Sequence, residues 1–329
     1  MADGHPIWPE HPPPLAPFHG DKPPAPAWFD AALAIEPDRS FITVEGAKIE
    51  LLTWGEVGRP GVLLLHGNGA HADWWSFIAP LLSSDYRVAA ISWSGMGDSD
   101  WRPKYNADLF AAEILAAIDA AQLEADGGKA RVVGHSFGGF PTLYCAVHHA
   151  ERLGGIVMLD STVHPPERQW NGPPRRTGPN KVYADLPTAL ARFRLAPPQG
   201  CENPYVADWI ARKALRQAPM PEGEGEDGSG MGWTWKFDPE LWHNFTMPAL
   251  GDLLSQVKCP VALVWGERSK LMFPETMDFM LRELPDDIVK FSIPDADHHV
   301  MIDQPLATVA ALRALLASWP MIPQGAARL

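Results

Sequence analysis

Apolar runs of strand length recur along the chain, and segments with helical spacing of apolar residues lie between them. Gly61-Val62-Leu63-Leu64-Leu65, Arg87-Val88-Ala89-Ala90-Ile91, Gly155–Asp160 and Val261–Gly266 are close to unbroken apolar stretches. Strands buried on both faces of a parallel sheet have this character. The intervening segments around Trp74-Trp75-Phe77-Ile78-Leu81-Leu82, over Ala107–Gln122 and over Phe140–Val147 read as helices, and Pro305–Trp319 reads as a closing one. Ser40–Val44 and Lys48–Trp54, separated by Glu45-Gly46-Ala47, read as a β-hairpin. Alternation of strand and helix on this scale predicts an α/β fold, a doubly wound, mostly parallel sheet with right-handed crossovers.

Two regions break the rhythm. Residues 1–39 contain His11-Pro12-Pro13-Pro14 and Lys22-Pro23-Pro24-Ala25-Pro26. Proline at that density builds neither a helix interior nor a central strand, so an extended N-terminal arm is expected. It either wraps the domain or a neighbouring copy through Trp8, Phe18 and Trp28, or stays a disordered tail. Residues 162–249 carry Pro173-Pro174, Pro197-Pro198, helical pieces over Leu186–Leu195 and Tyr205–Leu215, and the glycine-acid segment Glu222–Gly228, expected to be a mobile loop. The strand pattern resumes at Val261 and at Val289–Ile293. The division expected is therefore a core of 40–161 and 250–329 interrupted by a cap of 162–249.

Composition narrows the partners. A formal net charge of −13 opposes binding to nucleic acid or to an anionic membrane surface. Three cysteines, Cys145, Cys201 and Cys259, form neither a disulfide framework nor a zinc pattern. With no signal-like N-terminus and no apolar stretch long enough to span a bilayer, a cytoplasmic protein is expected. A homo-oligomer is left open.

The chemistry centres on Val132-Val133-Gly134-His135-Ser136-Phe137-Gly138-Gly139. A short apolar strand runs into Gly-x-Ser-x-Gly and then into a helical segment. That is the order a nucleophile elbow requires, with the serine on a strained strand-to-helix turn and glycines on both sides leaving room for it. Ligands of open parallel sheets bind at the carboxyl ends of the strands, and those ends carry His66-Gly67-Asn68, Ser136, Asp160, Glu267 and His298. A serine hydroxyl becomes a useful nucleophile when an imidazole takes its proton and a carboxylate orients that imidazole.

With these residues in view, the chain resembles the α/β-hydrolase fold superfamily, in its serine esterase and lactonase type with a cap insertion. The resembling motifs are His66-Gly67-Asn68-Gly69, Gly95-Met96-Gly97-Asp98-Ser99, the elbow itself, and Asp297-His298-His299 through Asp303-Gln304-Pro305. The resemblance implies Ser136 as nucleophile and His298 as general base. It also implies an oxyanion hole from the backbone N–H groups of Phe137 and Asn68, with no cofactor and no metal. Counting from His298, the family's later acid and proline fall on Asp303 and Pro305. Counting from His299 they would fall on Gln304 and Leu306, so His298 is the choice and His299 a pocket or packing residue. His135 is expected to be structural, and His148 and His149 to lie on the surface.

The acid departs from the commonest family pattern, in which an aspartate follows the late Val-x-Gly strand. Here that turn reads Gly266-Glu267-Arg268-Ser269, with serine in the aspartate's place. Asp160, at the end of the strand after the elbow helix, is the expected triad acid, with Glu267 the alternative and a helix N-cap the competing role for Asp160. Ser92 likewise stands where relatives often have aspartate, a position expected to be structural.

A serine nucleophile points to acyl transfer to water rather than to dehalogenase or epoxide hydrolase chemistry, which on this fold use aspartate. Trp170, Trp209, Trp233, Trp235 and Trp242 lie in or near the insertion and would suit a small hydrophobic or aromatic ester or lactone. Packing of the cap onto the core is an equally good reading of any one of them. The alternatives are a C–C bond or amide hydrolase of the same fold, or a low-turnover ligand-binding relative.

Overall fold

A computed structural model describes residues 11–165, 178–221 and 230–319. Trp8, Trp170, Pro173-Pro174 and the Glu222–Gly228 segment, singled out above, lie outside the described residues.

Eight strands form the central sheet: β1 Asp38–Val44, β2 Ala47–Trp54, β3 Gly61–Leu65, β4 Arg87–Ile91, β5 Ala130–His135, β6 Leu153–Leu159, β7 Val261–Gly266 and β8 Val289–Ile293. Their order is β1-β2-β4-β3-β5-β6-β7-β8. β1 and β2 form the antiparallel hairpin, Val44 opposite Ala47, and β2 pairs antiparallel with β4. Every pairing from β4 across to β8 is parallel. All of β3 and all of β5 are buried, as strands covered by helices on both faces must be. Each leucine of β3 taken from water contributes roughly 1.5–3 kcal/mol.

The chain order reverses between β3 and β5, which are neighbours in the sheet with Leu65 opposite Gly134. A crevice opens at such a reversal, outside the carboxyl ends of the strands. The His66 loop and Ser136 both start from it. On the far side of β5, His135 lies opposite Leu159, which sets the end of β6, and hence Asp160, beside the serine turn.

Several elements differ in detail from the sequence expectation. The Trp74–Leu82 stretch is two short pieces, a 3-10 turn Ala72–Trp75 and a helix Ala79–Leu82. Pro80 lacks the N–H a continuing helix would need, so the helix restarts with proline in its first turn. Within the expected arm, Ala27–Leu33 is a helix whose Phe29 packs on Phe77 at a ring-centroid distance of 5.6 Å. In the preceding stretch Leu15 is buried and Phe18 only half-buried, and Ala16–Phe18 forms a 3-10 turn. Ser92 donates to Glu50 Oε2 at 2.6 Å and accepts from the Ala72 amide. The buried Glu50 thus brings a carboxylate to the place where relatives often have aspartate.

The chain divides into two compact units. The larger comprises Ala27–Gly178 and the chain from Phe237 onward; the smaller comprises the chain up to Pro26 together with Pro179–Lys236. The smaller unit holds helices Leu186–Leu190 and Pro204–Lys213 and an antiparallel pair, Leu215–Pro219 with Met231–Trp235. Arg212 ties its two chain segments together, donating to the Gly20 carbonyl at 2.6 Å and to Asp208 at 2.7 Å. The hairpin escapes a reading of periodicity because Leu215–Pro219 does not alternate cleanly between buried and exposed positions.

Candidate active site

Ser136 sits immediately after β5, where the chain turns through the 3-10 segment Ser136–Gly138 into helix Gly139–His148. Its φ of +52° is a left-handed conformation that side-chain-bearing residues rarely adopt. The turn is tight enough to exclude side chains on both flanks. A Cβ on Gly134 would meet the Gly138 carbonyl oxygen at 2.5 Å, and one on Gly138 would meet the His66 carbonyl oxygen at 2.7 Å. Ser161 braces the turn from β6, its hydroxyl 2.8 Å from the Ser136 carbonyl oxygen and 3.1 Å from that of Gly134. No motif in the sequence marked Ser161.

His298, 2% exposed, bridges the serine and the acid. Its Nε2 lies 2.9 Å from Ser136 Oγ and its Nδ1 lies 2.7 Å from Asp160 Oδ1. A carboxylate only accepts, so Nδ1 carries the hydrogen, and in the neutral ring Nε2 is then the lone pair facing the serine hydroxyl. Asp160 is fully buried at φ +47°. Its Oδ1 also accepts from Ser269 Oγ at 2.7 Å, and its Oδ2 accepts from the Gly266 amide at 2.8 Å. Ser269, standing where the commonest pattern has the acid, is thus a hydrogen-bond donor to Asp160. Glu267 is exposed, and its carboxylate accepts the Asp295 amide at 3.2 Å. Asp303 accepts the Asp297 amide at 2.8 Å, bracing the loop that presents His298.

Burial disfavours the charged form of two neighbouring histidines, His66 and His135. His66 is pushed down to about 3, chiefly by burial. Its Nδ1 donates to the Gly67 carbonyl at 2.7 Å and its Nε2 accepts the Trp93 amide at 3.1 Å. His135 is held well below the ordinary imidazole range, first by burial and then by the nearby His298, and its Nε2 donates to the His298 carbonyl at 3.1 Å. His299 is buried against Trp74, with ring centroids 5.4 Å apart. His148 is exposed and His149 half-buried. Nitrogens of His135, His298 and His299 lie within 4.8 Å of one another. Both His298 nitrogens already face Asp160 and Ser136, and His135 Nε2 is spent on a carbonyl.

The two neutral histidines predict a pH dependence of stability. Both pKa values are lower in the folded chain than in the unfolded one. Stability is therefore full above about pH 6.5 and is lost as pH falls, when the unfolded chain takes up protons that the folded chain refuses. Each contributes a slope of roughly 1 kcal/mol per pH unit. Glu113, buried and pushed up to about 6 by desolvation, works in the opposite sense between about pH 6 and 4.5, so it offsets one of them in part. Urea unfolding at pH 7, 6 and 5 should show a net loss of stability; a flat profile would mean these histidines are not held neutral.

The oxyanion candidates lie on either side of the serine. Phe137 is buried in the first turn after Ser136, and Asn68 is exposed in the loop after β3. Trp242 donates its indole N–H to Asn68 Oδ1 at 3.1 Å, a contact with no counterpart in the sequence motifs. Trp209, Trp233 and Trp235 belong to the smaller unit, whereas Trp242 belongs to the larger one. Among the described residues no helix is long and apolar enough to cross a membrane.

A model of the alpha/beta hydrolase family matches residues 62–312. Among named relatives, the pimeloyl-(acyl-carrier protein) methyl ester esterase of Chromobacterium violaceum is 25% identical over 266 residues, covering 77% of this chain and 92% of its own. The carbamate hydrolase RutD of Caulobacter segnis is 29% identical over 180 residues, covering 53% of this chain and 62% of its own. The chain thus spans only about three fifths of the length of these carbamate hydrolase relatives. The thioesterase domain from the curacin biosynthetic pathway superposes with a TM-score of 0.66 at 21% identity, covering 86% of this chain and 99% of that one, a likeness of fold alone. The strand order, the strained turn between β5 and its helix, and the family match over most of the chain agree: the chain belongs to the alpha/beta hydrolase family.

Proposed function

We propose that the chain is a serine hydrolase that cleaves a carboxylic ester or lactone, of a small hydrophobic or aromatic kind, through an acyl-enzyme on Ser136. The observation that carries this reading is the continuous path Ser136 Oγ, His298 Nε2, His298 Nδ1, Asp160 Oδ1, with separations of 2.9 and 2.7 Å. Ser136 Oγ attacks the carbonyl carbon as its proton passes to His298 Nε2, and the buried Asp160 carboxylate stabilises the imidazolium that forms. The carbonyl oxygen becomes an oxyanion received by the amides of Phe137 and Asn68. On collapse the alkoxide leaves with the proton from Nε2. In a lactone that alkoxide stays attached to the acyl group. Water then gives a proton to Nε2 and its oxygen to the acyl carbon, and a second collapse releases the acid and restores the serine. The name of the Chromobacterium violaceum relative supports ester cleavage.

The test is a panel of p-nitrophenyl esters and aromatic lactones, with rapid quenching and intact-mass measurement. A burst of p-nitrophenol, with one acyl group added to the chain on the peptide containing Ser136, is the expected result. Turnover without any acylated chain would overturn the mechanism, and turnover of carbamates or C–C substrates in place of esters would overturn the substrate class.

A further inference from the structure

Ser269 reaches the triad from the turn after β7. Its amide donates to the Gly266 carbonyl at 2.9 Å, which closes the turn over residues 266–269. The chain just beyond is tied to the end of β6, where Thr162 donates its hydroxyl to the Leu271 carbonyl at 3.1 Å. The Ser269 hydroxyl has one hydrogen to give. The Leu271 amide, 3.4 Å from Oγ, is itself a donor, whereas Asp160 Oδ1, 2.7 Å from Oγ, only accepts. The hydrogen therefore lies on the Asp160 side.

Asp160 Oδ1 is also the atom that accepts the His298 Nδ1 hydrogen at 2.7 Å. Two donors thus share one oxygen of a fully buried carboxylate, while Oδ2 takes the Gly266 amide at 2.8 Å. A hydrogen bond to a carboxylate draws on its negative charge, and in a site closed to water that change is felt more strongly by a neighbouring charge than it would be at the surface. When His298 takes the serine proton, the imidazolium is stabilised by the charge that remains on Oδ1.

The other ionisable groups around the ring do not make this contact. His135 and His299 have ring centroids 4.9 and 4.7 Å from that of His298, and burial disfavours the charged form of His135. Glu267 and Arg268, on the turn that carries Ser269, are exposed and serve the histidine loop from outside. Glu267 accepts the Asp295 amide, and the Arg268 guanidinium lies 3.6 Å from the Asp295 carboxylate and 3.9 Å from that of Asp297. Asp303 accepts the Asp297 amide. Ser269 acts instead on the carboxylate oxygen that His298 touches.

We propose that Ser269 is a positioning residue that tunes the triad through Asp160: by giving its hydrogen to Oδ1 it withdraws charge from the oxygen facing His298, and so sets the pH range over which His298 takes the serine proton. The inference rests on the serine hydrolase reading above.

The test is the pH profile of kcat/KM for wild type, Ser269→Ala and Ser269→Thr on the p-nitrophenyl ester that wild type hydrolyses best. That profile reports the essential base of the free enzyme. Alanine removes the donor, leaves more negative charge on Oδ1 and stabilises the imidazolium, so the acid limb should move to higher pH by roughly half a unit. Oδ1 keeps His298 and Oδ2 keeps the Gly266 amide, so kcat on the plateau should stay within about 3-fold of wild type. Threonine keeps the hydroxyl and should return the limb to its wild-type position. Ser269→Cys, with a weak S–H donor, should move the limb in the same direction by less, and it carries the test if Ser269→Ala does not fold. An acid limb that stays in place or moves to lower pH in the folded variants, or an equal shift in Ser269→Thr, would overturn the tuning role. The acylation burst separates the two levels. A wild-type chain that acylates on Ser136 while the limb of Ser269→Ala stays in place overturns only the role of Ser269, whereas a wild-type chain that never acylates overturns both.

Discussion

Ser136→Ala should lower kcat/KM for the best ester by about 10⁴-fold or more, leaving substrate binding and the fold close to unchanged. The change removes one oxygen. The alanine Cβ sits where the serine Cβ sat, so the strained turn at φ +52° and its brace from Ser161 are unaffected. What disappears is the atom 2.9 Å from His298 Nε2 that would form the bond to the acyl carbon. The check is kcat/KM for both proteins alongside their melting temperatures, with the acyl adduct absent from the variant. A variant retaining more than about a tenth of wild-type activity would remove Ser136 from the chemistry, whatever its position.

Asp160→Asn is expected to cost about 10³-fold or more in kcat, while Glu267→Gln leaves kcat within about 2-fold of wild type. The asparagine is the same shape but cannot satisfy its surroundings. Asp160 receives three donors, two on Oδ1 from His298 and Ser269 and one on Oδ2 from the Gly266 amide. Whichever way the amide is turned, its NH₂ faces at least one of those donors. Left against Gly266 it opposes a backbone N–H; left against His298 it favours the wrong imidazole tautomer and removes the lone pair that takes the serine proton. A buried donor without an acceptor adds a stability loss of about 1–3 kcal/mol, measurable by urea unfolding. Glu267, exposed and accepting the Asp295 amide, has no comparable task. Wild-type kcat in Asp160→Asn, or a dead Glu267→Gln, would reverse the choice of acid.

Much of this arrangement was legible in the order of residues. The parallel strands read as buried runs because both faces of each are covered. The elbow read as a strand-turn-helix because the glycines flanking Ser136 are needed for contacts within a few residues. His298 was separable from His299 because Asp303 and Pro305 act locally, one holding the Asp297 amide and the other opening the closing helix. Two stretches depart from what their spacing predicts. The Trp74–Leu82 stretch keeps helical spacing, yet Pro80 divides it. The Leu215–Pro219 hairpin strand has no regular alternation and took its partner from residues well downstream.

By itself the sequence determined the α/β alternation, the serine on its strained turn, the histidine that faces it and a short set of acids at strand ends, since each is written in neighbouring residues. Only the tertiary structure decided the rest. It set Ser269 as a donor to Asp160, Glu50 as the carboxylate beside Ser92, Ser161 as the brace of the serine turn, and Trp242 as the partner of Asn68. The physical reason is the same in each case. A buried polar group must be matched by some donor or acceptor, but hydrogen bonding does not specify how far along the chain that partner lies. The pairing becomes visible only when the sheet has brought distant strand ends together.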